Sequence, residues 1–261
     1  MRFLTLYSGS GGNAAYIEAA GKRILIDAGK CLRTLSTSLA SIGTSLSEID
    51  AIFITHEHGD HTSALEVLSK KYNIPIHIAD GSAAKFSSPR YDTLRESLVV
   101  HQQRFEVELG DVKVSSFPTP HDSMMSVGYK IEFSEDGCSH TFGFATDIGY
   151  VTKTIATELV GCEAVVLESN HDIEMLKHGR YPQDLKQRIL SKRGHLSNAE
   201  SALFAAHLAA NGTRHFILAH LSEENNTPDT ALDEFLSSVA DPTVSVSVAH
   251  PENITEIIFG D

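Results

Sequence analysis

Thr55-His56-Glu57-His58-Gly59-Asp60-His61 follows directly on the apolar run Asp50-Ala51-Ile52-Phe53-Ile54. A short β-branched run that stops at such a cluster reads as a buried strand delivering a loop at its C-terminal end. The loop has the ligand order His-x-His-x-Asp-His. Alternate loop residues can point the same way, so His56 and His58 can share one ion. Asp60 and His61, opening a helical pattern, can face a second. Neutral imidazoles with one carboxylate bind a borderline cation without filling all its positions, as a hydrolytic site requires. The bland alternative is a polar turn with chance histidines. With 14 histidines in 261 residues, three of them beside an Asp on these beats are poorly explained that way.

A chain of 261 residues can bury a sizeable core as one large domain or two small ones. Its 41% apolar and 21% charged residues suit a soluble globular enzyme. The net charge of −13 opposes indiscriminate binding to nucleic acid or acidic membranes unless basic residues cluster. One such cluster exists: Lys177, Arg180, Lys186, Arg188, Lys192 and Arg193 stand against only Asp184. That run reads as a phosphate-tracking surface or as a solvated helix face, and Lys192 and Arg193 also suit a helix C-terminus. Cys31, Cys138 and Cys162 are scattered, which predicts reduced, buried thiols in a cytoplasmic protein. No apolar run approaches membrane-spanning length and the N-terminus lacks a secretory pattern, so no membrane partner is expected.

Strands are expected at Phe3–Tyr7, Ala14–Glu18 and Lys22–Ile26, then a helix through Leu32, Leu35, Leu39 and Ile42 stopped by Gly43. Ser8-Gly9-Ser10-Gly11-Gly12-Asn13 lacks the Lys-Ser/Thr of a phosphate loop and reads as a tight turn near the site. An amphipathic helix is expected over Thr62–Tyr72, then a strand in which His77 is a satisfied sheet histidine rather than a ligand. Strand follows strand from Ser97 to Phe144. Helices are expected around Pro182–Lys192, Asn198–Ala210 and Pro228–Val239, with strands at Ala164–Leu167, Arg214–Leu218 and Thr255–Phe259. This mixture predicts a layered α/β sandwich around one continuous core, a single domain over residues 1–261.

Other predicted strands also end in ligand chemistry: His121 after Phe117, Asp147 after Phe142–Ala145, His220 after His215–Ala219. With the first loop they supply seven ligands, three or four for each of two ions, with one carboxylate free to bridge. His56, His58, Asp60, His61, His121, Asp147 and His220, in this order, resemble the metallo-β-lactamase-fold hydrolases. Ser8-Gly9-Ser10-x-Gly12-Asn13, Glu168–Asp172, Gly179–Pro182, Gly194–Asn198 and Ala219–Asn226 are similar to motifs of the YycJ/WalJ-like branch. The resemblance spans nearly the whole chain. It implies an αββα sandwich with the site at one edge, a dinuclear Zn²⁺ or Mn²⁺ centre, and 5′-to-3′ DNA exonuclease activity. Related tRNA 3′-processing enzymes and β-CASP nucleases have a Glu and a His in places corresponding to Glu168 and His195.

Two adjacent dications would lower the pKa of a bridging water toward neutrality and offset charge on a phosphoryl transition state. The leaving alkoxide needs a proton, and His195 in Gly194-His195-Leu196-Ser197-Asn198 is the candidate donor, held by Glu168. A purely structural, helix-capping histidine is the alternative for His195. Asp60 joins these two as a catalytic carboxylate. His171 suits either substrate contact or scaffold, and Arg180, Ser197 and Asn225 are further candidate substrate contacts. The expected substrate is nucleic acid, DNA in preference to RNA. A same-fold hydrolase of a thioester, lactam or cyclic nucleotide is the alternative, and a non-catalytic metal or redox module is a third.

Overall fold

The computed structural model describes residues 1–259; the expected domain's last two positions, Gly260 and Asp261, lie outside the described residues. In chain order the strands are β1 (Arg2–Tyr7), β2 (Ala14–Ala19), β3 (Lys22–Ile26), β4 (Ala51–Phe53), β5 (Ile76–Ala79) and β6 (Leu98–His101). There follow β7 (Glu106–Leu109), β8 (Val112–Pro118), β9 (Val127–Glu135) and β10 (Cys138–Ala145). The last are β11 (Ala164–Glu168), β12 (His215–Ala219), β13 (Ser245–Val248) and β14 (Thr255–Glu256). They form two sheets, ordered β14-β1-β2-β3-β4-β5-β6 and β13-β12-β11-β10-β9-β8-β7.

Alternation along the strands divides their apolar residues between two faces. Phe3, Ile17 and Phe53 of the first sheet meet Tyr129, Phe142, Val166 and Ile217 of the second in the inner core. Phe3 and Phe142 stack across it, ring centroids 4.9 Å apart. On the outer face of the first sheet, Leu4, Leu25 and Ile52 pack with Leu35 and Leu39 of the helix Leu32–Ser41. Outside the second sheet, Val165, Leu167 and Leu218 pack with Ile155, Phe204 and Phe235 from the helices Lys153–Leu159, Asn198–Ala210 and Pro228–Ser238. Strands buried on both faces carry continuous apolar runs, as β4 does and as β11 does up to Glu168. The architecture is the expected αββα sandwich.

Strand direction places the site. β3 and β4 are parallel, as are β10, β11 and β12. β8 is antiparallel to β9, and β9 to β10, so β8 runs with β10. The residues following these strands therefore emerge at one edge of each sheet.

The expected Thr62–Tyr72 helix is instead two short helices, Gly59–Thr62 and Leu65–Ser69. The Ala64 N–H bonds to Ala28 O at 3.0 Å, so a tertiary contact replaces a helical one at the break. The helices Lys153–Leu159 and Ile173–His178 and the strand β13 were not anticipated. Of the cysteines expected to be buried, only Cys162 is; Cys31 and Cys138 are exposed. Among the described residues, no helix is long and apolar enough to cross a membrane.

His77 is a sheet histidine, as expected. Its ring stacks on Phe53 and its Nδ1 lies 2.9 Å from His101 Nε2. Burial, reinforced by the His101 ring, pushes its imidazole down to about 4. The unfolded chain takes up this proton near its ordinary value, so the contribution to stability is complete above pH 6.5 and declines as the pH falls from 6.5 toward 4. Replacing His77 with Phe should flatten part of that decline, by on the order of 1–2 kcal/mol between pH 7 and 4.5. Urea unfolding of both proteins across this range measures the difference.

Candidate metal centre

At that edge the seven predicted ligands come together. The side chains of His56, His58 and His121 present nitrogens within 4.8 Å of one another, and Asp60, His61 and His220 form a second such group. Asp147 lies between them: Oδ1 is 3.8 Å from His121 Nε2 and 3.5 Å from His220 Nδ1, and Oδ2 is 3.5 Å from His61 Nε2. Asp147 Oδ2 and His220 Nε2 are buried without a hydrogen-bond partner. Buried orphans of this kind are costly unless another group satisfies them. A coordinated cation would do so, and the His/Asp donor set fits a borderline divalent ion.

The two groups differ in charge. Burial, with the neighbouring imidazoles, holds His56 well below the ordinary histidine value, and burial also lowers His121. Burial would lower His61 too, but the Asp27 and Asp147 carboxylates hold it well above that value. Asp147, Asp60 and Glu168 likewise outweigh burial at His220 and raise it to about 10. The carboxylates thus favour positive charge at His61 and His220, which is the charge a bound cation would supply.

Asp27 is the main residue that the sequence reading overlooked. Wholly buried, it accepts the Thr55 N–H and the Thr55 hydroxyl, each at 2.8 Å, and the His61 Nδ1–H at 2.7 Å. The last bond selects the tautomer that leaves His61 Nε2 available as a ligand. Asp27, Asp147 and His220 share a left-handed backbone, with φ of 64°, 57° and 58°. This conformation is uncommon outside glycine, though Asn, Asp and His are enriched in it, and it tends to collect at functional sites.

The Gly-rich turn after β1 supports the centre from behind, as a near-site turn was expected to. Ser8 Oγ accepts the His220 N–H at 2.8 Å, and Asn13 Nδ2 lies 3.2 Å from His61 Nε2. The Asn13 N–H bonds to Asp60 O at 2.8 Å. Gly29 closes the stack: a Cβ there would stand 1.5 Å from Asp60 O, so only glycine admits the ligand loop.

Glu168, at the end of β11, is fully buried beside the ligands. Its Oε2 accepts the N–H groups of Ile148 (2.7 Å) and Leu196 (3.2 Å). Its Oε1 lies 2.8 Å from His195 Nδ1 and 2.9 Å from His220 Nδ1. Against burial, His195 and His220 hold its carboxyl far below the ordinary range. His195 remains partly exposed, and with Nδ1 turned to Glu168 its other ring nitrogen, Nε2, is not engaged by that carboxylate.

The expected substrate contacts fare differently. Arg180 is exposed and forms no ion pair among the described residues. His171 is buried with both ring nitrogens unpartnered, and burial lowers it to about 4. Ser197 is buried and caps the helix Asn198–Ala210, its Oγ accepting the Glu200 N–H at 3.3 Å. Asn225 is buried and ties its own loop, its N–H donating to Ser222 Oγ. Both expected substrate contacts thus also make local bonds within the chain, while Asn225 Oδ1 is left without a partner.

Of the basic run only Lys186 is buried, and several of its members also make bonds within the chain. Lys186 is buried and donates to the carbonyls of Lys177 (2.8 Å) and Gly179 (2.7 Å). Arg188 pairs with Asp122, and Arg193 donates to the carbonyls of His121 and Ser123. Lys177 pairs with Glu174, which lies outside the counted window.

The chain belongs to the beta-lactamase superfamily, whose domain model matches residues 22–221. Among its relatives, exodeoxyribonuclease WalJ of Streptococcus pneumoniae is 34% identical over 251 residues, covering 95% of this chain and 91% of that protein. Exodeoxyribonuclease YycJ of Bacillus anthracis is 34% identical over 240 residues, or 88% and 86% of the two chains. The metallo-β-lactamase fold protein YhfI of Bacillus subtilis superposes with a TM-score of 0.71 over 98% of this chain and 100% of that one, at 18% identity. That last likeness is one of fold.

Replacing Asp27 with Asn should disturb the tautomer of His61 without removing any ligand. Affinity for the metal should fall roughly 10- to 100-fold, as for other partners of ligating histidines. Titration with a chelator, followed by elemental analysis, reads the loss; unchanged retention would show that Asp27 does not orient His61.

Proposed function

We propose that this chain is a metal-dependent exodeoxyribonuclease that hydrolyses DNA phosphodiester bonds from a 5′ end. One divalent cation would be held by His56, His58 and His121 and a second by Asp60, His61 and His220, with Asp147 between them. Zn²⁺ and Mn²⁺ both suit these donors. When bound, such ions acidify water and neutralise charge on the phosphoryl group. The observation that carries the reading is the His195–Glu168 pair set against the ligand cluster, in a chain that aligns over 95% of its length with an exodeoxyribonuclease.

The protein's own part is proton delivery and positioning. Glu168 accepts the Nδ1–H of His195, which leaves Nε2 to carry a transferable proton. This proton goes to the oxygen that leaves phosphorus. Asp60 acts as ligand and, in the same position, as an electrostatic partner of the reacting group. An intracellular nucleic-acid substrate and three cysteines free of disulfides suit a cytoplasmic protein.

The test is a panel of end-labelled single- and double-stranded DNA and RNA assayed with Zn²⁺, Mn²⁺ and chelator, with a thioester as control. Stepwise loss of nucleotides from the 5′ end of DNA, abolished by chelator, is expected; turnover of the thioester alone would overturn the proposal. In the same assay, His195→Ala should keep its metal and lose about 100-fold or more in rate, as for a missing general acid. Near-normal turnover would remove His195 from the mechanism.

A further inference from the structure

A cavity of about 210 Å³ opens beside His195. Tyr181, Leu185 and Ile189 form an apolar wall, while Asn170, Ser222 and His195 bring polar groups. Leu185 and Ile189, four residues apart on the helix Gln183–Ile189, share one face. The buried Lys186 holds the preceding loop through the carbonyls of Lys177 and Gly179. The His195 N–H bonds to Ile189 O at 3.0 Å, and a Cβ on Gly194 would stand 2.1 Å from the same oxygen. Helix, loop and proton donor thus form one packed unit, and the cavity between them is preformed.

From this we infer that the cavity receives the 5′-terminal nucleoside of the substrate, with Tyr181 as the surface on which its base stacks. This rests on the exonuclease reading above. If His195 protonates the leaving oxygen, whatever that oxygen is attached to must lie beside His195. In the hydrolysis, a water oxygen bonds to phosphorus, the bond from phosphorus to the 3′ oxygen breaks, and that oxygen takes the proton from His195. The group leaving into the cavity is then the 5′-terminal unit, with a new 3′-hydroxyl and with whatever its 5′ oxygen already carries (a hydroxyl or a phosphate), and the cleaved phosphate stays as the 5′-phosphate of the rest of the strand. The cavity is smaller than the ~300–1,000 Å³ typical of sites for drug-sized ligands, so it has room for one such unit and not for a continuing strand. An aromatic face beside aliphatic side chains suits any base, because every base has a π-face. Across the Lys192–His195 turn lies a more open groove of about 340 Å³, bordered by His121, Met124, Tyr150 and Lys192, where the remaining strand can continue.

The experiment uses 5′-labelled single-stranded DNA whose first residue is either a normal nucleotide or an abasic tetrahydrofuran analogue. For the wild type, the abasic end should raise KM about 10- to 100-fold, the range of one lost stacking contact, with kcat little changed. Tyr181→Ala should raise KM on normal DNA by a similar factor and no longer distinguish the two ends; Tyr181→Phe should restore both. Metal content and circular dichroism establish that the variants are folded and loaded. Equal KM for both ends in the wild type, or wild-type KM in Tyr181→Ala, would overturn the assignment of the cavity while leaving the nuclease reading intact. Failure of the wild type to degrade DNA at all would overturn both.

Discussion

The structure turns on the concentration of four carboxylates, Asp27, Asp60, Asp147 and Glu168, at one end of the sandwich, three of them fully buried. Buried charge is costly unless it is paired and hydrogen-bonded. Here each carboxylate faces imidazole, backbone N–H or both. His61 alone contacts Asp27, Asp60 and Asp147. Two of the unpaired atoms, Asp147 Oδ2 and His220 Nε2, belong to the groups of side chains that could hold an ion. A divalent cation held by the surrounding donors would satisfy both.

Holding that cluster falls to backbone drawn from distant parts of the chain. The loop after β3 and the turn after β1 clamp the ligand loop through the bonds Asn13 N–H to Asp60 O and Ala28 N–H to His61 O. Gly29 lets them approach so closely. Strand parallelism supplies the remaining candidate ligands without long connections, because the C-terminal ends of β8, β10, β11 and β12 emerge at one edge. Rigid strands thus fix the Cα positions, and three left-handed residues aim the side chains.

This division explains what the sequence disclosed. Long apolar strands are legible because burial on both faces demands continuous β-branched runs, and the ligands were legible because they sit where those runs stop. Asp27 was not: an Asp after a strand looks like any turn residue, and its role depends on β3 lying beside β4. Strand β13 escaped notice because Ser245-Val246-Ser247-Val248 is short and nowhere fully buried. The Lys177–Arg193 run was legible only as a count. Counting charge along a chain ignores partners outside the window, such as Asp122 and Glu174 here and the carbonyls that Lys186 and Arg193 reach.

Glu168 joins the two halves of the site. A carboxylate has two oxygens and about four lone-pair sites, and here all are engaged: two backbone N–H groups on Oε2, and His195 and His220 on Oε1. The Ile148 and Leu196 bonds anchor it to the ends of two loops, so it has no freedom to follow either histidine. His195 and His220 are therefore placed relative to one another by a single shared oxygen, with ring centroids 5.1 Å apart. A change that shifts His220 must also shift His195. An Asp at this position would be one methylene too short to reach both rings while keeping its backbone bonds, so shared reach, more than charge alone, accounts for a glutamate at the end of β11.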